Sequence, residues 1–255
     1  LLAEQILRTT RNSADVRHGK RDWFRFTENK AADETRVDIY DEIGWFGITA
    51  HDFINELRTV TTRNISLHIN SVGGDVFDGL AIHNALKQHD ARVNVTVDGI
   101  AASIASIISM AGDNVTMADG SLMMIHEPFT LAIGDAEDMH RMGDALNKMG
   151  DSLADIYALR AGGTRDEWRG VMRSETWYTA QEAVAAGLAD KASSAPATKN
   201  TFDLSIFRNY RAATARSEAP PVVANHPTGS ETDWRSTARL KVVAAMEDMV
   251  HAKAG

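Results

Sequence analysis

An α/β domain on a mostly parallel sheet is the fold class this chain predicts, on three observations. Short segments with strand alternation recur along the first half: Val37-Asp38-Ile39-Tyr40, then Ile65, Leu67 and Ile69, then Val93, Val95 and Val97. Segments with helical spacing separate them, so consecutive strands need crossover connections, and crossovers make neighbouring strands parallel. The length of 255 residues, with 44% hydrophobic and 24% charged residues, suits one core domain plus extensions.

In chain order, the residues up to about Glu34 are polar and rich in Arg, Asp and Asn, and read as an arm with one short strand at Trp23 to Phe26. Thr49 is placed to cap a helix whose apolar positions are Phe53, Ile54 and Leu57. A helix from about Phe77 to His89 follows the strand ending at Ile69, with Leu80, Ile82, Ala85 and Leu86 available to the core. The strand at Val93 to Val97 is expected to break at Gly99, and Ala101 to Ala111 reads as a buried helix with Ser103 in its first turn. Val115 to Met117 and Leu122 to Ile125 are two further strands.

From about Asp135 to Arg160 apolar residues recur at helical spacing (Met139, Met142, Leu146, Met149, Leu153, Ile156, Leu159), with Gly162-Gly163 as the stop. So long a helix either folds back on the core or stands out as an oligomer contact; a methionine-rich stripe suits both. Thr164 begins another helix through about Met172, and Thr179 with Glu182 forms a capping-box pattern for a helix ending at Gly187. Past Ser193 the chain turns to Ala, Ser, Thr, Pro and Asn, so 194–234 reads as linker or tail, and Leu240, Val243, Ala244, Met246 and Val250 read as a terminal helix. The division expected is an arm over 1–35, a catalytic domain over 36–193 and a polar tail over 194–255.

Composition removes several classes. A net charge of -8 argues against broad nucleic-acid binding, which needs a basic face. With no cysteine there is no disulfide, thiol catalysis or cysteine-ligated metal, which fits a cytoplasmic setting. The start, Leu1-Leu2-Ala3-Glu4, lacks the basic and apolar regions of a secretory signal, and the apolar stretch around Ile100 to Ala111 is too short to span a bilayer. No metal is expected either, since no histidine pair has the H-E-x-x-H spacing.

Three places carry candidate chemistry. In Asn70-Ser71-Val72-Gly73-Gly74-Asp75 two glycines at a strand end let backbone N–H groups face a ligand, either as half of an oxyanion hole or as an ordinary turn. In Asp98-Gly99-Ile100-Ala101-Ala102-Ser103 a serine stands at a helix start, where free N–H groups favour developing negative charge. It is either a nucleophile or a small residue for close packing, the latter being the reading for Ser106 and Ser109. In Met123-Met124-Ile125-His126-Glu127-Pro128 a histidine ends an apolar strand, as a general base or as a structural residue bonded to a carbonyl. His83 and His89 read as solvated or packed.

These segments, together with Thr179-Ala180-Gln181-Glu182-Ala183-Val184-Ala185-Ala186-Gly187-Leu188-Ala189-Asp190, occur in the order found in the Clp protease proteolytic subunit family. The resemblance covers roughly Val37 to Ala192. In detail the chain looks more like the related head maturation proteases of tailed bacteriophages, through Trp177 in Glu175-Thr176-Trp177-Tyr178-Thr179 and the polar C-terminal extension.

The resemblance implies a crotonase-like, ClpP-like spiral of ββα units with a long protruding handle helix, and a serine endopeptidase without a cofactor. It implies Ser103 as nucleophile, His126 as base, and the N–H groups of Gly74 and Ile104 as oxyanion donors. It implies strand addition of substrate after Gly74, and homo-oligomeric rings, stacked heptamers in the family, joined through the helix from Asp135 to Arg160. Implied partners are scaffold or capsid protein substrates, or an ATP-dependent unfoldase.

The chain departs from the family pattern twice. Val72 replaces a proline. The position of the family's third, acidic triad member falls on Val171, which cannot orient an imidazole; Glu175 is the nearest acid, with Asp166 and Glu167 a turn or more earlier. A backbone carbonyl or a two-residue site are the alternatives. The expected function is a serine endopeptidase processing scaffold or capsid protein. The alternatives are a bacterial Clp subunit fed by an unfoldase, an acyl-CoA hydratase or isomerase on the same spiral, and an inactive assembly protein.

Overall fold

The computed structural model describes residues 23–44 and 49–196, with Phe202, Leu204 and Phe207 beyond them. The first part of the arm, most of the tail and the terminal helix at Leu240 to Val250 lie outside the described residues.

Among the described residues, eight strands form one sheet: β1 (Phe24–Asn29), β2 (Glu34–Tyr40), β3 (Asn64–Ser71), β4 (Arg92–Ala102), β5 (Asn114–Asp119), β6 (Leu122–Ile125), β7 (Thr176–Thr179) and β8 (Lys191–Pro196). Their order is β1-β2-β3-β4-β5-β8, with β6 paired to β4 and β7 to β6. Only β1–β2 and β6–β7 are antiparallel; the others are parallel, as the crossover pattern required. The helices among the described residues are α1 (Ala50–Leu57), α2 (Val76–Gln88), α3 (Ile104–Ser109), α4 (Ala136–Ala161), α5 (Arg165–Arg173) and α6 (Ala180–Ala185).

The alternation read in the sequence is the alternation of burial. Ile65, Leu67 and Ile69 of β3 and Val93, Val95 and Val97 of β4 are buried in the main core with Ile104, Ile107 and Ile108 of α3. The intervening residues, Ser66, His68, Thr96 and Asp98, lie half-buried on the other face.

Several expectations are corrected. β4 does not break at Gly99: Val97 still pairs with Met117 of β5, and three residues later Ile100 pairs with Leu122 of β6. The strand changes partner, so its ladder continues through the glycine. The helix expected at Ala101 to Ala111 shrinks to Ile104–Ser109, and Ser103 lies just before it instead of in its first turn. Residues 24–35 are not part of a polar arm, because β1 is paired along its length with β2. The aromatics explain this: Trp23 stacks on Phe53 at 5.9 Å, and Phe24 and Phe26 each sit 5.2 Å from the same ring. At the other end β8 extends the sheet to Pro196, past the boundary at 193. Its segment Lys-Ala-Ser-Ser-Ala-Pro has no large apolar residue to mark a strand, and its place is held by main-chain bonds to β5.

The long helix differs between its two halves. Asp135 and Asp138 form a capping box at its start, and Gly162, at φ 80, ends it. Its 26 residues span about 39 Å. Met139 and Met142 near its start are 40% and 38% exposed, while Met149, Leu153, Ile156 and Tyr157 are buried. The first half therefore stands away from the core that the second half covers.

Candidate active site

The fork in β4 builds the site. Ala102, its last residue, pairs with Met124, and the Ser103 N–H adds one more bond to the Met124 carbonyl at 2.9 Å. The chain then turns at once into α3, and Ser103 adopts φ 55, ψ -128. That conformation costs a side-chain-bearing residue on the order of 1–3 kcal/mol and persists only where the surroundings enforce it. Ser106 supplies part of that enforcement: its N–H and Oγ donate to the Ser103 carbonyl at 3.0 and 2.5 Å. Ser106 Oγ also meets the Tyr157 hydroxyl of α4 at 2.7 Å. Burial raises the pKa of Tyr157, so its hydroxyl stays protonated. Ser106 is therefore more than a small packing residue, and Tyr157 is not among the positions that the sequence singles out.

His126 directly follows β6, and its Nε2 lies 2.6 Å from Ser103 Oγ. This is the working distance of a base and a nucleophile. The two residues predicted separately are thus brought together because β4 and β6 run side by side and end at the same level. Next to His126, Glu127 pairs with Arg169 of α5 at 2.9 Å, and Arg169 also holds Asp151 of α4 at 2.8 Å and the Asn147 carbonyl at 2.7 Å. This network ties the residue after the histidine to two helices.

The glycine turn lies beyond the end of β3. A Cβ on Gly73, which has φ +102, would stand 2.8 Å from Ser103 Cβ and 3.2 Å from the Ile104 nitrogen. Gly73 is thus the glycine packed against the serine. Gly74, the expected donor, lies one residue further and bridges to Ile43, whose N–H donates to the Gly73 carbonyl at 2.8 Å and whose carbonyl accepts from Asp75 at 3.0 Å. The Gly73 N–H donates to Ser71 Oγ at 3.1 Å. Ile104 opens α3 directly after the serine, and its side chain packs on Gly79 of α2, where a Cβ would come within 2.1 Å of it.

Val171 is buried in α5, and its carbonyl accepts from Thr176 Oγ1 at 2.8 Å. Glu167 caps α5 through Thr164, and Asp166 is exposed. Glu175 stands apart from these acids: it is 9% exposed, with φ 45. The β6–β7 ladder pairs Ile125 with Thr176, so one further step sets Glu175 across from His126. Glu175 Oε1 accepts from Trp177 Nε1 at 3.4 Å. Of the other histidines, His83 is buried, which pushes its pKa down to about 4, and His89 Nδ1 accepts from the Ala91 N–H at 3.0 Å.

A second Ser–His–Asp set lies on the half-buried sheet face. Ser66 Oγ is 3.3 Å from His68 Nε2, His68 Nδ1 is 2.8 Å from Asp98 Oδ2, and the Tyr40 hydroxyl donates to the same oxygen at 2.6 Å. Burial raises the Asp98 pKa, but the hydrogen bonds from His68 and Tyr40 outweigh it and hold the carboxyl below its ordinary value.

The Clp protease family profile matches residues 22–195. Similar relatives include the ATP-dependent Clp protease proteolytic subunit of Bacteroides fragilis, 33% identical over 180 residues, which cover 64% of this chain and 87% of the relative. Another is ATP-dependent Clp protease proteolytic subunit 1 of Protochlamydia amoebophila, 31% identical over 172 residues, 64% of this chain and 82% of the relative. A profile match across most of the chain, over a site that joins a strained serine to a histidine, places this protein in the Clp protease family as a serine endopeptidase.

Proposed function

We propose that Ser103 attacks the peptide carbonyl, that His126 takes its proton and returns it to the leaving amine, and that the main-chain N–H groups of Gly74 and Ile104 hold the tetrahedral oxyanion. The observation that carries this is the 2.6 Å contact between Ser103 Oγ and His126 Nε2, made by a serine at φ 55. Glu175 is the positioning acid: buried across from His126, it stands in for the acid that Val171 lacks. A fluorophosphonate probe should label the wild-type chain and fail on Ser103→Ala. Labelling of that variant, or none of the wild type across several oligomeric states, overturns the assignment. The second outcome would favour the inactive assembly reading.

The subunits assemble into a ring, and rings stack through α4. Support comes from the apolar side chains displayed near its start, Met139 and Met142, and from Phe129, Leu131 and Ile133 before it, which are 62%, 59% and 94% exposed. Sedimentation of the wild type and of Leu131→Asp with Ile133→Asp tests this: a smaller particle for the variant is expected, and an unchanged one refutes the contact.

Two settings for the activity differ in partner. Processing of phage scaffold and capsid protein rests on the Trp177 segment and on residues 196–255 beyond the family match. A proteolytic subunit fed by an ATP-driven unfoldase is favoured by the names of the relatives. Cleavage of a folded substrate only when an unfoldase and ATP are added selects the second setting. Cleavage of assembled scaffold by the chain alone selects the first. The acyl-CoA reading has no support from the family match.

A further inference from the structure

Three described residues beyond β8 lie against the domain. Leu204 and Phe207, 6% and 8% exposed, are buried in a second apolar cluster with Ile100, Ala102, Met124 and Trp177, and Phe202 packs against it. This cluster is separate from the main core and lies on the opposite face of β4, whose Ala101 points into the main core.

Four residues of the cluster lie within two positions of residues at the site. Ala102 precedes Ser103, Val72 precedes Gly73, Met124 stands two residues before His126, and Trp177 two residues after Glu175. The Phe207 ring meets the His126 imidazole edge-on at 5.8 Å between centroids, and meets Trp177 at 5.5 Å. Residues 202–207 lie beyond the stretch of 22–195 that matches the family.

We infer that the segment Phe202–Phe207 is a built-in competitor: it occupies, in the same chain, the apolar surface beside Ser103 and His126, and substrate binding requires its displacement. The inference rests on the Ser103–His126 reading given above. Its physical content is a population: while the segment is seated, only the fraction of molecules with it released binds substrate, and apparent affinity falls by that fraction. The occupant is chemically defined as a short peptide carrying aromatic and large aliphatic side chains, which fill a site lined by Trp177, Met124 and Ile100, with the Phe207 N–H donating to the Leu204 carbonyl at 3.1 Å.

The test keeps the full chain and cuts it after folding. A recognition sequence for a site-specific protease is placed within 198–200, and the folded protein is nicked there, alongside the uncut variant Leu204→Ala with Phe207→Ala. Release of the segment should accelerate fluorophosphonate labelling of Ser103 by about tenfold and lower the KM for a quenched peptide with kcat little changed. A synthetic peptide spanning residues 200–209 should reverse both effects competitively. Unchanged or slower labelling after nicking, in protein that keeps its melting temperature, overturns the inference and makes the segment a structural staple. Nicking bypasses any folding defect of the double variant. If no form is labelled, the catalytic assignment has failed instead. Calorimetric binding of the peptide to the nicked protein then decides this point: binding upholds the seat, and absence of binding overturns it.

Discussion

Two places in this molecule bring a serine to a histidine, and they differ in the backbone that carries them. On the face of the sheet, Ser66, His68 and Asp98 form a full hydrogen-bonded series of the kind that defines a catalytic triad. At the strand ends, Ser103 and His126 meet at 2.6 Å, and the acid position expected from the resemblance falls on Val171. The complete set of side chains lies within the sheet and not at strand ends. Ser66 and His68 sit within β3, paired on both sides to β2 and β4, while Asp98 lies where β4 changes partner. Around Ser66 the main-chain N–H groups serve those ladders and not an oxyanion. Ser103 instead follows the last residue of a strand and precedes a helix, beside a glycine turn at the end of β3. Oxyanion stabilisation is commonly the largest single catalytic effect, so backbone geometry outranks completeness of the triad.

The largest test of that comparison is a pair of serine variants. Ser103→Ala should lower kcat/KM for a peptide by about 10⁴-fold or more, while Ser66→Ala leaves it within about twofold. An active Ser103→Ala chain that Ser66→Ala inactivates would reverse the assignment. Next, Glu175→Gln should cost about 10²-fold in kcat with KM little changed, partly recovered in Glu175→Asp. A pH–rate profile shifted along with kcat marks a positioning role; an unaltered kcat assigns the orientation of His126 to another group. A smaller effect is expected from Tyr157→Phe, which leaves Ser106 without its partner on α4. Stability should fall by about 1 kcal/mol, read by thermal melting, with a decrease of about threefold in kcat.

The smallest effect concerns the surface series alone. The Asp98 carboxyl is held below its ordinary value. Its contribution is therefore complete above the unfolded-state value of about 4 and is lost as pH falls through the lower, folded value. Asp98→Asn should lower the melting temperature at pH 7 and flatten its fall in acid, with peptidase activity retained. Lost activity at an intact melting temperature would show that the surface series reaches the catalytic site.

Much of this was legible because burial and local chain direction wrote it into the order of residues. The alternation in β3 and β4 is the pattern of one buried face, and Thr164 with Glu167 and Thr179 with Glu182 cap α5 and α6 as their spacing indicates. Ser103 stood out as a serine at an expected helix start, and His126 as a histidine ending an apolar strand. Other features had no local signature. The run through Gly99 depends on β6 being available to replace β5, a pairing between distant residues. β8 lacks bulky side chains, since main-chain bonds hold it. Gly73 and Gly74 are alike in sequence, and only their neighbours, Ser103 for one and Ile43 for the other, distinguish them.

The sequence by itself determined the α/β class, the parallel core, the long helix and the two residues that meet at the site, because periodicity, caps and strand ends are local properties of the chain. Tertiary structure decided what those residues can do. It forked β4 so that a serine and a histidine 23 positions apart end side by side, and it forced Ser103 to a positive φ. It buried Glu175 one step past the Ile125–Thr176 pair and laid Phe207 edge-on to the His126 imidazole. Each of these depends on contacts between segments far apart in the chain, and such contacts exist only after the sheet has closed.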